Sequence, residues 1–294
     1  MGLLRKFRIQ TYNVGFVTKG IDAVMTDGIG QGDIIWLKHD YKDRFFADPF
    51  LWDYDDEYLY VLVEEVLFWE YKGRIVLLKV RRSDYALISR RVVIDEPTHL
   101  SFPLCRCGGD TIIPESSASG RWTAYKINRD TMEIESKQVL LEIGTIDAVF
   151  YENEKGSWIL TGKLPKPNDE LYIYRKDEAG SYVISEEPVL TDVTQVRSAG
   201  PLFTWKGKLF RPVQDSGERY GRRTRIMQVD QISGEKYSVS EWITLTGDEN
   251  PPYNETLHTF NIYDPCILVD GSKDFLRFPM KLLYRYCGFL FHGD

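Results

Sequence analysis

The chain breaks into short runs of β-branched and aromatic residues, each ending at Gly, Asp, Asn or Pro. A two-residue rhythm with turn punctuation predicts strands, among them Glu57–Glu65, Ile75–Val80, Trp122–Ile127, Lys208–Val213 and Thr224–Val229. A sustained helical period is missing, except near the C-terminus, where residues 278–289 read as a helix. The pattern is that of an all-β protein.

A higher-order repeat runs through these strands. A polar or turn residue followed by an apolar pair and then a hairpin recurs at Ala47-Asp48-Pro49-Phe50-Leu51, Ser101-Phe102-Pro103-Leu104, Ile146-Asp147-Ala148-Val149-Phe150, Ala199-Gly200-Pro201-Leu202-Phe203 and His258-Thr259-Phe260-Asn261-Ile262. The anchors are spaced by roughly 45 to 60 residues, the length of a four-stranded propeller blade with variable loops. Five anchors predict a five-bladed β-propeller. An open ring would leave an unpaired edge strand, so the N-terminal stretch from Arg8 to Leu37 is expected to complete the last blade and close the ring. The anchors share one phase, which places them on the innermost strands around a central funnel. No linker or composition break divides the chain, so residues 1–294 read as one domain.

Composition narrows the class of ligand. Aromatic residues make up 14% of the chain, which suits strands and also supplies flat walls for sugar rings. A net charge of −7 argues against nucleic acid, which demands a basic stripe, and agrees with carboxylates that accept hydrogen bonds from sugar hydroxyls. The four cysteines form no C-x-x-C pair and have no histidine at zinc spacing, so free thiols and no metal or other cofactor are expected. Residues 1–10 lack the apolar core of a signal peptide, and no run of about 18 apolar residues occurs, from which a cytoplasmic protein is expected. The aromatic and basic tail from Phe275 to Phe291 could cap the propeller base or rest peripherally on the inner membrane surface.

At the first and third anchors the sequence resembles the furanosidase-like five-bladed propellers that include glycoside hydrolase families 43 and 32. The resemblance implies a general base at Asp48 and a residue at Asp147 that tunes the acid's pKa. Family 43 carries its acid in a Glu-Gly-Pro motif, whereas this chain has Ala199-Gly200-Pro201. A more specific likeness runs through Phe46-Ala47-Asp48-Pro49-Phe50, Glu64-Glu65, His99-Leu100-Ser101-Phe102-Pro103, Ile113-Pro114-Glu115-Ser116, Arg197-Ser198-Ala199-Gly200, Arg211-Pro212-Val213-Gln214-Asp215, Tyr220-Gly221 and His258-Thr259-Phe260-Asn261. This set is similar to the N-terminal propeller domain of plant glucosamine inositolphosphorylceramide transferases and its bacterial relatives. It implies a part in building or modifying a glycoconjugate.

Individual side chains supply the candidate chemistry. Asp48 and Asp147, at one phase of different blades, should point into one funnel, as an acid/base pair or as a polyol-binding pair. Glu115 is the candidate replacement acid, with Glu65 next. Arg197, Arg211, Gln214 and Asp215 cluster in the fourth blade, where a guanidinium can fork onto a phosphate or carboxylate, or pair structurally with Asp48 or Asp147. His99 and His258 open anchors and can both donate to and accept from hydroxyls. Tyr220 and Asn261 complete the expected binding set. Asp53-Tyr54-Asp55 spells D-x-D but reads as a hairpin turn. The sequence therefore predicts a carbohydrate-active protein of glycoconjugate or surface-polysaccharide biosynthesis that binds or transfers a sugar, a sugar phosphate or a lipid-linked glycan. A family 43-like hydrolase with Asp48 as base and Glu115 as relocated acid, or a non-catalytic glycan-binding scaffold, are the alternatives.

Overall fold

The computed structural model describes residues 8–185, 187–233 and 236–276. The strands form five four-stranded antiparallel sheets, the blades of a propeller. Blade 1 comprises β3 (Arg44–Tyr54), β4 (Tyr58–Leu67), β5 (Gly73–Arg81) and β6 (Leu87–Ile94). Blade 2 comprises β7 (Ser101–Cys105), β8 (Thr111–Glu115), β9 (Trp122–Ile127) and β10 (Ile134–Leu141), and blade 3 comprises β11 (Thr145–Asn153), β12 (Gly156–Lys163), β13 (Tyr172–Lys176) and β14 (Tyr182–Ile184). Blade 4 follows with β15 (Phe203–Trp205), β16 (Lys208–Asp215), β17 (Arg223–Ile232) and β18 (Tyr237–Leu245). The last blade joins β19 (Thr256–Tyr263) and β20 (Cys266–Leu276) to β1 (Arg8–Val17) and β2 (Ile34–Trp36), so the two ends of the chain close the ring as expected.

In blade 2 burial falls from the first strand to the last: β7 is almost wholly buried, whereas β10 is exposed over most of its length. The apolar clusters lie between neighbouring blades. Val14 and Phe16 of β1 pack with Leu51 of β3 and Val61 of β4, and Trp52 and Leu62 of blade 1 pack with Ile112 and Tyr125 of blade 2. Each blade thus buries its faces only against its neighbours.

Four of the five anchors are β-bulges on the innermost strand. Register breaks between Ala47 and Phe50, Ser101 and Leu104, Ile146 and Val149, and Leu257 and Thr259. Asp48, Phe102 and Asp147 sit in these breaks with φ of 51°, 43° and 41°, a left-handed conformation uncommon for side chains other than Gly, Asn and Asp. The fourth anchor is built differently. A Cβ on Gly200 would meet the Phe260 carbonyl oxygen at 2.3 Å, so only glycine lets the blade 4 backbone reach blade 5.

One short helix was not expected. α1 (Ile21–Asp27) lies between β1 and β2 and buries Val24 and Met25 against Phe210 and Leu245 of blade 4. Trp205 and Trp242 fasten it by donating to Asp22 Oδ1 at 2.7 Å and to the Met25 carbonyl at 2.9 Å. A seven-residue segment is too short to show helical periodicity. The helix expected at 278–289 lies outside the described residues. Asp55 accepts from the Glu57 and Tyr58 N–H groups, which makes the D-x-D segment the hairpin turn it resembled. Among the described residues no helix is long and apolar enough to cross a membrane.

Candidate functional site

The bulges aim side chains at the axis, where a cavity of about 220 Å³ is lined by Asp48, Glu64, His99, Glu115, Arg197 and His258. Tyr220, Tyr12 and Phe45 add aromatic wall. A relay of backbone donors locks this arrangement from blade to blade. Asp48 N–H donates to Asp270 Oδ2 of blade 5 at 2.9 Å, Phe102 N–H to Asp48 Oδ2 of blade 1 at 3.0 Å, and Asp147 N–H to Glu115 Oε2 of blade 2 at 2.9 Å. Asp48 and Glu115, two of the carboxyls that face the axis, are therefore each held by the bulge of the next blade.

Two cations balance the carboxyls. His258 lies between Asp270, 2.6 Å from Nδ1, and Asp48, 3.4 Å from Nε2. Burial opposes charge on this imidazole, but Asp270 and then Asp48 raise its pKa to about 9, so both ring nitrogens carry protons at neutral pH. Arg197 donates from Nε to Asp147 Oδ2 at 2.5 Å and brings Nη2 to 3.7 Å from Glu115 Oε2. Burial pushes Asp48 well above the usual carboxylate range, with Glu64 and Asp270 adding to it and His258 opposing. Burial and the charge of Asp147 push Glu115 up as well, against the pull of Arg197. The upward shift favours the protonated form of both carboxyls, and a protonated carboxyl can donate as well as accept, as adjacent sugar hydroxyls require. Asp48, His258 and Asp270 also bring three ligand-type atoms within 4.8 Å of one another, but the imidazolium itself supplies the positive charge between those carboxylates.

Most of the expected residues converge here and some do not. Asp48, His99, Glu115, Arg197, Tyr220 and His258 line the cavity, and Asp147 stands directly behind Arg197 and Glu115. Glu65 does not line it. Its carboxylate is fully buried and held by Arg44, Arg74 and Arg90, while its neighbour Glu64 faces the funnel and meets His99 Nε2 at 2.9 Å. Gly73 N–H donates to His99 Nδ1 at 2.9 Å and so leaves Nε2–H to face Glu64.

Arg211 lies behind the wall, where its guanidinium donates to the Val196 carbonyl at 2.6 Å and to Ser198 Oγ at 3.1 Å, bracing the segment that carries Arg197. Gln214 has a similar place, donating to Asp147 Oδ2 at 2.8 Å and to the Ser198 carbonyl at 2.9 Å. Asp215 turns away to Arg225, 3.0 Å distant, and Asn261 donates to the Pro49 carbonyl at 2.8 Å across the blade 5 to blade 1 seam. Both are structural ties in this arrangement. Ala199 is fully buried and is not among the residues lining the cavity, and its methyl side chain supplies no carboxyl.

Glu64, Asp270, Tyr12 and Phe45 are among the residues that sequence reasoning did not select. Asp270 had a signal, since an acid that directly continues the apolar strand run Cys266-Ile267-Leu268-Val269 is costly to bury unless paired. Tyr12 had none: an aromatic in a strand is ordinarily core.

Comparison with known proteins agrees with this architecture. The sequence model of the family described as glucosamine inositolphosphorylceramide transferase 1, N-terminal, matches residues 36–250. Glucosamine inositolphosphorylceramide transferase 1 of Arabidopsis thaliana is 28% identical over 204 residues, covering 66% of this chain and 26% of that protein. The protein of the same name from Oryza sativa subsp. indica is 24% identical over 207 residues, covering 67% of this chain and 28% of its own length. The chain thus spans about a quarter of these curated relatives. Among solved structures, a GH43_1 enzyme from Xanthomonas citri superposes with a TM-score of 0.50 at 12% identity, over 79% of this chain and 87% of that one. At that identity the likeness is one of fold.

Proposed function

Because the chain belongs to the family of the N-terminal domain of glucosamine inositolphosphorylceramide transferase 1, we propose that its funnel binds the polyhydroxylated part of a glycoconjugate and positions it for glycosyl transfer. The observation that carries this reading is the convergence of Asp48, Glu64, Glu115, Arg197 and His258 on one axial cavity of about 220 Å³, room for a single ring. Asp48 and Glu115 would share protons with adjacent hydroxyls, Arg197 and His258 would hold the local charge fixed, and Tyr12, Phe45 and Tyr220 would cover the ring faces. The names of the relatives suggest the ring: glucosamine or inositol. Assembly of a glycolipid or of a surface polysaccharide is the biosynthetic setting that fits such a module.

Binding and positioning fit the site better than hydrolysis. Ala199 stands where the hydrolase scheme needs its acid, and general acid catalysis contributes typically 10²–10⁴-fold. The test is calorimetric titration with glucosamine, myo-inositol and xylose, alongside an assay on aryl glycosides. Binding by at least one ring is expected, weakened about tenfold or more by Asp48→Asn or Arg197→Ala, since each removes a charged partner of a buried polar ligand. Turnover of aryl glycosides should be negligible. Robust hydrolysis abolished by Glu115→Gln would establish the hydrolase instead, and binding of no sugar would leave a scaffold.

A further inference from the structure

Beside the funnel lies a second cavity of about 320 Å³, and Tyr12 forms part of the wall of both. It occupies the seam where the ring closes: Tyr12 comes from β1, Lys273 from β20, and His39, Lys42 and Arg44 from the chain leading into and opening β3. The two cavities differ in charge. Carboxyls face cations in the funnel, whereas the cleft is lined by Lys42, Arg44 and Lys273 with no carboxylate among its lining residues. In a chain of net charge −7, a hollow whose charged lining residues are all cations concentrates positive potential.

Arg44 is already engaged by Asp43 and Glu65. Lys273 rests with Nζ 4.5 Å above the Tyr253 ring, and Lys42 is exposed at the mouth. His39 lines the same cleft, its Nδ1 buried and without a hydrogen-bond partner among the described residues. Burial, Lys42 and Lys273 lower its pKa, against Asp40. An anion lodged between the two lysines would offer this imidazole an acceptor and offset the charges that keep it neutral.

We infer that this cleft is a phosphoryl subsite, holding the phosphate of the ligand whose hydroxylated ring occupies the funnel; the inference rests on the funnel reading above. A phosphoryl group fits better than a carboxylate. The two ammonium groups come from separate segments, the bend before β3 and strand β20, which suits a tetrahedral group with several free oxygens, while Arg44, whose fork would match a planar carboxylate, is taken.

The experiment compares myo-inositol, myo-inositol 1-phosphate and inorganic phosphate by calorimetry on the wild type and on the Lys42→Ala/Lys273→Ala double variant. The phosphate ester should bind at least about tenfold more tightly than inositol, an advantage that salt erodes and the double variant removes, while inositol affinity stays unchanged. Glycerophosphoinositol, whose diester does not titrate near neutrality, should also raise the His39 pKa in an NMR titration. Binding to vesicles of phosphatidylinositol in phosphatidylcholine, absent with phosphatidylcholine alone and lost in the double variant, would identify a lipid headgroup as the source of the phosphate. Binding confined to the soluble ester would identify a free sugar phosphate. Equal affinity for inositol and its phosphate, an unmoved His39, or a double variant that loses both ligands alike would overturn the subsite. Binding of inorganic phosphate with the His39 shift but no binding of any free ring would instead overturn the funnel reading and leave the anion site standing.

Discussion

His258 carries the most legible consequence of a single side chain. Its pKa in the folded protein, about 9, lies above the ordinary 6.5, so the folded state binds this proton more tightly than the unfolded chain does. The resulting stability is fully present below about pH 6.5, is lost as pH rises through 9, and amounts to at most about 3 kcal/mol. Asp48 and Glu115 act in the same sense, because a carboxyl whose pKa is raised on folding favours the folded state at low pH and loses that advantage as pH rises. The melting temperature should therefore be lower at pH 9.5 than at pH 6.5, and His258→Gln should flatten the decline; a wild-type profile flat across this window would contradict the ion-pair assignment. The axial carboxylates could be read from the sequence because Asp at a repeated phase of an otherwise apolar strand has few other uses. The choice between Glu64 and Glu65 could not, since alternation says that two neighbours face opposite ways but not which faces the axis. The three arginines that claim Glu65 lie 21, 9 and 25 positions away along the chain. Arg211 misled for a related reason: a guanidinium that braces carbonyl groups looks in sequence like one that awaits a phosphate.

The bulge is the element that turns a repeated sequence motif into a site. It inserts residues into the innermost strand, twists the local backbone and aims one side chain at the axis, while its own N–H reaches the previous blade's carboxylate. The repeat was visible as a turn residue before an apolar pair, but the bulge was not, because its left-handed residues are Asp48, Phe102 and Asp147 rather than glycine. Blade 4 achieves the same approach by removing a side chain. A Cβ at Gly200 would collide with the Phe260 carbonyl at 2.3 Å and with Asn261 Oδ1 at 2.6 Å, and backbone cannot swing aside as a flexible side chain does. Gly200→Ala should accordingly cost about 2 kcal/mol or more, in the range of overpacked sites. The measurement is denaturant unfolding against Gly20→Ala, an exposed glycine with no atom within 4 Å of its added Cβ and, like Gly200, no positive φ, so that only the inter-blade approach differs. Equal losses at the two positions would show that the inter-blade approach is not what Gly200 provides. The short helix α1 escaped sequence reading because its stability comes from Trp205, Trp242 and the blade 4 core rather than from any period of its own.

Closure is expected to make the whole ring one cooperative body. β1 pairs with β20 over ten positions, from Arg8 with Leu276 to Val17 with Ile267, and the clusters it enters are shared with blades 1 and 4 rather than confined to its own sheet. Phe16 is the clearest instance: it is fully buried, stacks on Tyr85 of blade 1 with ring centroids 4.3 Å apart, and belongs to the cluster joining blades 5 and 1. Truncating it should cost about 3–5 kcal/mol, the usual range for removing a core phenylalanine. If every blade is stabilised chiefly by its two neighbours, that loss cannot remain at the seam. Opening the ring removes a flank from blades 1 and 5, whose exposed faces then weaken blades 2 and 4 in turn. In Phe16→Ala the most protected amides of β11 and β12, on the far side of the ring, should therefore lose hydrogen-exchange protection by the same free energy as those of β1 and β20. Circular dichroism and the fluorescence of Trp122 and Trp158, in blades 2 and 3, should report one coincident transition at the lowered midpoint. A closing strand that were only an appendage would give a different result: early loss of protection in β1 and β2, with β11 and β12 exchanging as in the wild type. The seam carries the cationic cleft and one wall of the funnel, so the two outcomes bear on function as well, since only a cooperatively closed ring holds Tyr12 between the two cavities.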